Sequence, residues 1–549
     1  MQTKGASRPA STNKSGQDAH APVESRLSTY LVKSPDHRNT VCTEAVQPVQ
    51  MTIMKCKPLL PLRLLLAAVF AAFLSAAQGA TLNYNPENFG WFDTGNQSWG
   101  VTPPPYNTNW TSGDSAILGN ATVGGGTYSV IFDQNTTVGD VTTTTSGNKS
   151  LSSSGTNIMT LNNGTIQTDP GGGLVVREGA TIQGNYTKAG NGTLAHEGST
   201  GKAAYVGTAT INAGTIYYSQ AAQLGASSNF VISGGTLLSR QNTLSAGSVV
   251  LNSGALSVGR PGTSGASGSL TVTSFSGAGG TVGLENNTAN TSLRGFTVNQ
   301  ATNTTFAGNI EGVLATTGST QRLQFTKSGT GNLTLSGTVT LGTLTTVSGG
   351  TLLINGNTTN FSDVSSTTAI SVTAGTLAGT GTITITGGDN VVLGAAGKLT
   401  AGLESTAGLT TYNFSSGGSL DLTTATASAN TGWLKFELGS DALAGTSYDQ
   451  INLLGGSLNI GTGLNFSDFD FTALTGFGGG NYVLFQTPGT ILGSLGTTTG
   501  TVNGFNTTLS ISGNNLVMNV VPEPSSLALL GGALLLTLVR RRCRQSDSR

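Results

Sequence analysis

Between Thr81 and Val520 few side chains could do chemistry, and their spacing limits which chemistry is open. One histidine stands in that span, His196. A metal centre on it would need partners at ligand spacing, and none is visible. Cys42, Cys56 and Cys543 all lie outside the span, which therefore holds no disulfide, thiolate nucleophile or cysteine metal site. Asp468 and Asp470 are two apart and would share a strand face; with Asp449 they make an oxygen set of the kind Ca²⁺ takes. A solvated face is the simpler reading, since no Gly/Asp-rich nonapeptide array accompanies them. Glu404, Glu437 and Asp441 are scattered. Catalysis needs titratable groups brought together, and the span's 11 Lys plus Arg and 19 Asp plus Glu form no cluster in sequence. No catalytic set, metal or cofactor is expected. The acidic excess also argues against nucleic acid, whose phosphates require clustered Lys and Arg.

Any such site would have to be carried on β-strands. Charged residues are 9% of the 549-residue chain and glycine fills 80 positions, against about 25% charged and about 7% glycine in ordinary globular proteins. Thr, Ser and Asn fill much of the rest, with Val, Ile and Leu recurring throughout. That mixture predicts extended β surface punctuated by glycine turns. The phrase YTKAGNGTLAHEG at Tyr186–Gly198 returns as FTKSGTGNLTLSG at Phe325–Gly337. In the second copy Leu333 and Leu335 alternate with Thr334 and Ser336, the period of a strand with one buried face, and Gly329, Gly331 and Gly337 mark turns. His196 stands where that copy has Leu335, so it either replaces an inward apolar residue or marks a bulge.

A second phrase follows each copy: GTATINAGTI at Gly207–Ile216 and GTLTTVSGGTLLING at Gly342–Gly356. Variants lie at 162–166, 233–237, 252–259 and 373–388. Gly214, Gly235 and Gly254 are 21 and 19 residues apart, and Gly350 and Gly375 are 25 apart. A period of about 20–25 residues is one coil of a β-solenoid. Stacked coils share an inner apolar ladder that no single coil could bury. An antiparallel sandwich or barrel series also has period two, but the regular Gly-Thr-Leu spacing favours the solenoid.

Both ends read as addresses. From Met54 to Ala80 the chain places Lys55, Lys57 and Arg63 before an apolar run, Leu64 to Leu74, and then small residues. This is the pattern of a secretory signal peptide cleaved after Gly79 or Ala80; the run is shorter than the ~20 residues of a membrane span. Translation is therefore expected to begin at Met51 or Met54, with residues 1–53 a leader or start-site artefact. At the other end Pro522-Glu523-Pro524 precedes an apolar stretch from Leu527 to Val539 and the basic residues Arg540, Arg541, Arg542 and Arg544. The stretch would enter the bilayer with the arginines cytoplasmic and the body outside.

That order of motif, hydrophobic helix and basic end closely resembles the PEP-CTERM sorting signal of Gram-negative bacteria. The resemblance implies transient inner-membrane anchoring, recognition by an exosortase-type sorting protease, cleavage near Pro522-Glu523-Pro524 and release to the cell surface or beyond. The repeated phrase resembles the autotransporter-associated β-strand repeat of autotransporter passengers and large verrucomicrobial surface proteins, matched by Phe325–Leu353 and by Tyr186–Leu237. It implies a right-handed parallel β-helix of the pectin-lyase-like kind in an exported passenger. The segment with Trp91, Trp99, Trp110 and Pro103-Pro104-Pro105 resembles the opening of such proteins. A solenoid end needs a cap over its unpaired edge, so these tryptophans are expected in cap core rather than as a sugar platform.

The expected layout is a leader at 1–53, signal peptide 54–80, N-terminal β cap 81–160, β-helix repeats 161–410, C-terminal β segment 411–520 and sorting tail 521–549. The fold class is all-β, apart from a signal helix and a hydrophobic sorting helix. The expected function is that of a non-enzymatic surface or extracellular-matrix β-solenoid in adhesion or envelope and biofilm architecture. Its partners would be signal peptidase, the exosortase and extracellular polysaccharide. The competing class is a polysaccharide lyase or hydrolase on the same fold. A groove with several carboxylates and an Arg or Lys would favour the enzyme, and a smooth Thr/Asn face would oppose it. A self-secreting autotransporter would instead need C-terminal amphipathic barrel strands, where the sorting tail stands.

Overall fold

A computed structural model describes residues 79–522 and 532–541, less 85–98, 101–107, 120–127, 145–146, 154, 156, 178, 198–204, 220–223, 225, 242, 260–267, 286–292, 317–318, 357–358, 364–365, 404 and 539. The signal segment up to residue 78, Trp91, Pro103, Pro104, Pro105, Glu404, Glu523, Pro524 and Arg542 lie outside the described residues.

The fold is all-β, and its strands are mostly short stretches of alternating aliphatic and polar residues. Asn332–Leu335 (NLTL) and Thr382–Ile385 (TITI) bury every second side chain, as a pleated strand with one inner face must. Through the middle of the chain strands pair in parallel with one a coil further on. Ile158–Leu161 pairs with Thr181–Gln183, Gly164–Thr168 with Tyr186–Ala189, and Gly172–Val176 with Thr193–His196. One ladder of seven strands runs from Thr304–Phe306 to Phe469–Ala473. Thr215 pairs with Thr236, 21 residues on; Thr236 pairs with Ala255, 19 on; Thr351 pairs with Thr376, 25 on. The glycine spacings read from the sequence are therefore coil lengths, and the parallel pairing is consistent with a β-solenoid. The antiparallel alternative fails through the middle of the chain, where a local hairpin between Asn309–Thr316 and Ser319–Ser328 is an exception.

Inward positions stack into apolar ladders. Leu270, Phe296 and Phe325, all buried, are register partners on successive coils, with the Phe296 and Phe325 ring centroids 5.9 Å apart and Phe275 packed against Phe296 at 5.2 Å. Corner carboxamides join coil to coil. Asn135 Oδ1 accepts the Ile158 amide (2.8 Å), Asn185 Oδ1 that of Thr208 (3.0 Å), Asn303 Oδ1 that of Asn332 (2.9 Å), and Asn355 Oδ1 that of Thr380 (3.0 Å). An uncharged acceptor at each turn satisfies a backbone donor one coil on, which accounts for the abundance of Asn in a chain with so little charge.

At the N-terminal end Thr81–Tyr84 pairs antiparallel with Trp99–Gly100 and parallel with Ser115–Leu118. Trp99 is buried between Tyr84 and Trp110, with ring centroids at 5.0 and 4.7 Å; both tryptophans belong to packing. At the other end Gly480–Gln486 takes the parallel partner Gln450–Leu454 on one side and the antiparallel partner Asn515–Val521 on the other. Phe505–Ser512 and Thr499–Val502 complete an antiparallel closing sheet. Residues 532–538 and 540–541 are helical and expose Leu534, Leu535, Leu536 and Leu538. Among the described residues no helix is long and apolar enough to cross a membrane.

Candidate functional site

The parallel register brings strand residues of successive coils into line. Thr81 pairs with Ser115, Ala116 with Val141, Val141 with Ile166, Thr165 with Thr187 and Thr187 with Thr210. Beside this line run two clefts of about 350 and 310 Å³ that meet at Asn163. The first is lined by Thr81, Ser115, Thr137, Asp140, Asn162, Asn163 and a floor of glycines; the second by Asn185, Tyr186, Thr187, Thr208 and Thr210. Among the described lining residues Asp140 is the one that is charged, and its Oδ1 accepts the Thr165 amide at 2.6 Å. The Ser115 hydroxyl accepts the Asp140 amide at 3.0 Å. Hydroxyls, carboxamides and exposed backbone along a concave track can hydrogen-bond a polyhydroxylated chain. They do not form an acid–base pair.

The repeated phrase conceals a buried charge. Lys188 and Lys327, the lysines of its two copies, are both fully buried. Lys188 Nζ donates to the carbonyls of Ala189 (2.7 Å), Gly190 (2.8 Å) and, 25 residues on, Ala213 (3.2 Å). Lys327 Nζ repeats this with Ser328 (2.7 Å), Gly329 (3.3 Å) and, 22 residues on, Gly349 (3.2 Å). Each ammonium closes its own glycine corner and fastens the corner of the next coil. Burial pulls each down to about 8. The receiving corner needs glycine: Gly214 and Gly350 have φ of +65° and +58°, and a Cβ there would crowd the lysine Nζ at 2.8 and 2.9 Å. Within the phrase the lysine gives no sign of its seat until it is set against the next coil. The signal was there in the TK-x-G corner followed by A-G-T or G-G-T one coil later.

His196 ends Thr193–His196 as an inward residue, fully buried, so it replaces an apolar side chain and makes no bulge. Its ring stacks on Tyr218 at 4.5 Å. Neither ring nitrogen has a partner among the described residues, and burial pulls its pKa down to about 3. It is a neutral core residue.

The acidic residues do not converge as the calcium reading required. Asp468 closes the turn Phe466–Asp468, where its carboxylate accepts the Asn465 amide at 2.6 Å. Burial raises its pKa, while that amide and the Trp433 indole oppose the shift. Asp470 begins the next alternation on Phe469–Ala473, exposed beside Lys435 at 3.7 Å. Asp449 is fully buried elsewhere: it accepts the Gly408 amide (2.6 Å) and the Glu437 amide (2.8 Å), and Glu437 Oε1 accepts the Ser405 amide (3.0 Å). Burial, and then the Glu437 carboxyl bonded to it, push Asp449 well above the carboxylate range. Through the Gly408 and Ser405 amides the two acids clamp one loop. Asp441 is exposed. Among the described residues no group of three or more His, Cys, Asp or Glu could hold a metal ion.

Of the terminal residues, Gly79 and Ala80 precede the first strand, Pro522 is exposed just after the last one, and Arg540 and Arg541 lie exposed on the C-terminal helix. Comparison of the chain with protein-family models, with curated proteins and with solved structures gives no match.

Proposed function

We propose that this chain is an exported, non-enzymatic β-solenoid of the cell surface or extracellular matrix, acting in adhesion or in envelope and biofilm architecture. The observation that carries this reading is the face built by the parallel register. Among the described residues it is a track of Thr, Ser and Asn with one carboxylate and no Arg or Lys lining it, suited to hydrogen-bonding an extracellular polysaccharide and poor in the groups that turn one over. The finer fold assignment is a right-handed, pectin-lyase-like β-helix. The signal peptide directs export through signal peptidase. The tail beyond Pro522 is held transiently in the inner membrane, with Glu523, Pro524, Arg540, Arg541 and Arg542 in the motif read by an exosortase-type protease. The test is fractionation of the chain with and without residues 522–549 in a Gram-negative host that encodes an exosortase. The full chain is expected at the surface or in the medium, and the truncated one in the periplasm. Cytoplasmic retention of both would end the export reading.

A further inference from the structure

A buried carboxylate without a cation stands at the start of the described chain. Asp114 is 5% exposed. Its Oδ2 accepts the Thr111 amide at 2.8 Å and its Oδ1 accepts the Ala80 amide at 2.7 Å. The ion pairs among the described residues are Arg240–Glu285 and Lys435–Asp470, so Asp114 is left without one. A buried carboxylate is costly unless a positive charge accompanies it. Ala80 is also where the leader's end falls by sequence: Ala77 and Gly79 put small residues three and one positions before the Gly79–Ala80 bond.

We propose that the leader is removed by hydrolysis of the Gly79–Ala80 bond and that the freed α-ammonium of Ala80 is the counter-ion of Asp114. The inference rests on the export reading and assigns its processing site. Hydrolysis consumes one water; the new carboxylate leaves on Gly79, and the amine stays on Ala80 and is protonated at neutral pH. The nitrogen that donates to Asp114 as an amide is the one that becomes the ammonium, so the pair forms without moving the chain. Ala80 is already fixed, because its carbonyl accepts the Ser115 amide at 2.8 Å and Thr81, Leu82 and Asn83 pair in order with Ser115, Ala116 and Ile117. A cut after Ala80 would delete that bond and set the charge about 3.3 Å further along the strand. A cut after Ala77 would leave Gln78 and Gly79 ahead and bring no charge to Asp114. Processing therefore fastens the first strand of the stack.

The test expresses the full chain with its own leader in a Gram-negative host and sequences the N-terminus of the exported protein. The α-amine is then acetylated with acetic anhydride near pH 7 and followed by peptide mass spectrometry, in the wild type and in Asp114→Asn. Expected are an N-terminus of Ala-Thr-Leu and labelling about tenfold slower in the wild type than in the variant, since one unit of pKa changes the free-amine fraction tenfold. Should the variant not fold, the wild-type α-amine is compared with the exposed Lys398, corrected for their ordinary reactivities. An exported chain beginning at Gln78 or Thr81, or an α-amine labelled at its ordinary rate, overturns the inference and leaves export standing. A cytoplasmic, uncut chain overturns both.

Discussion

Lys327 shows how far a single residue can depart from what its type suggests. Its alternation with Phe325 directs it inward, its charge argues outward, and three carbonyls at a glycine corner settle the matter. Lys327→Met keeps the apolar stem but removes the ammonium donor from all three carbonyls, of which, among the described residues, only that of Ser328 still accepts a backbone amide, from Gln300 at 3.3 Å. A loss of about 2–4 kcal/mol is expected at that corner. It should be read as faster amide hydrogen exchange at 328–331 and 349–351 with distant coils unchanged. His196 behaves oppositely. Its folded-state pKa, about 3, lies below the ordinary value near 6.5, so the unfolded chain binds the proton first and stability falls as pH drops from about 6.5 toward 3. Between pH 7 and pH 4 this amounts to about 3 kcal/mol. His196→Leu, which restores the residue found at Leu335 in the other copy, should raise the unfolding midpoint at pH 4 much more than at pH 7. An equal shift at both pH values would show that the imidazole is not desolvated.

At the scale of the element, the unit is a strand, a glycine corner and a strand, and it is specified by two coils together. Gly350 has a positive φ, a Cβ on it would strike the Gly331 carbonyl oxygen, and it lies against Lys327 Nζ. Gly350→Ala therefore meets both the left-handed backbone cost of about 1–2 kcal/mol and a clash with a backbone that cannot yield. It is expected to destabilise by more than about 2 kcal/mol and to loosen the same amides as Lys327→Met. The double variant should cost less than the sum of the two, because both break one corner. Full additivity would show that the lysine and the receiving glycine are independent. The strand face was legible in the sequence, because period-two alternation follows from the pleat. The lysine seat was written across two coils, TK-x-G in one and A-G-T or G-G-T in the next, so it could be read only once the register between them was known.

Over the whole molecule, each coil contacts its neighbours, so stability accumulates as coil terms and interface terms and the ends bear the unpaired edges. The antiparallel strands Thr499–Val502, Phe505–Ser512 and Asn515–Val521 cover the edge of Gly480–Gln486. A chain ending after Gln486 should expose that edge and self-associate, with the effect seen as concentration-dependent growth in light scattering. A monodisperse monomer would show that the closing sheet is not protective.

By itself the sequence determined the β character, the inner face and the coil length, because pleat, glycine corner and repeat are local and every coil writes them again. The distances of 21, 19 and 25 residues between glycines reappear as the pairings of Thr215 with Thr236, Thr236 with Ala255 and Thr351 with Thr376. Tertiary structure alone decided which carbonyls receive the lysines, that Asp449 meets the Glu437 amide while Asp468 and Asp470 part, and that Asp114 lies at the Ala80 nitrogen. Each of these depends on which group the fold places within about 3 Å of a side chain, the reach of a hydrogen bond. Coils here differ in length, so sequence spacing does not carry that information.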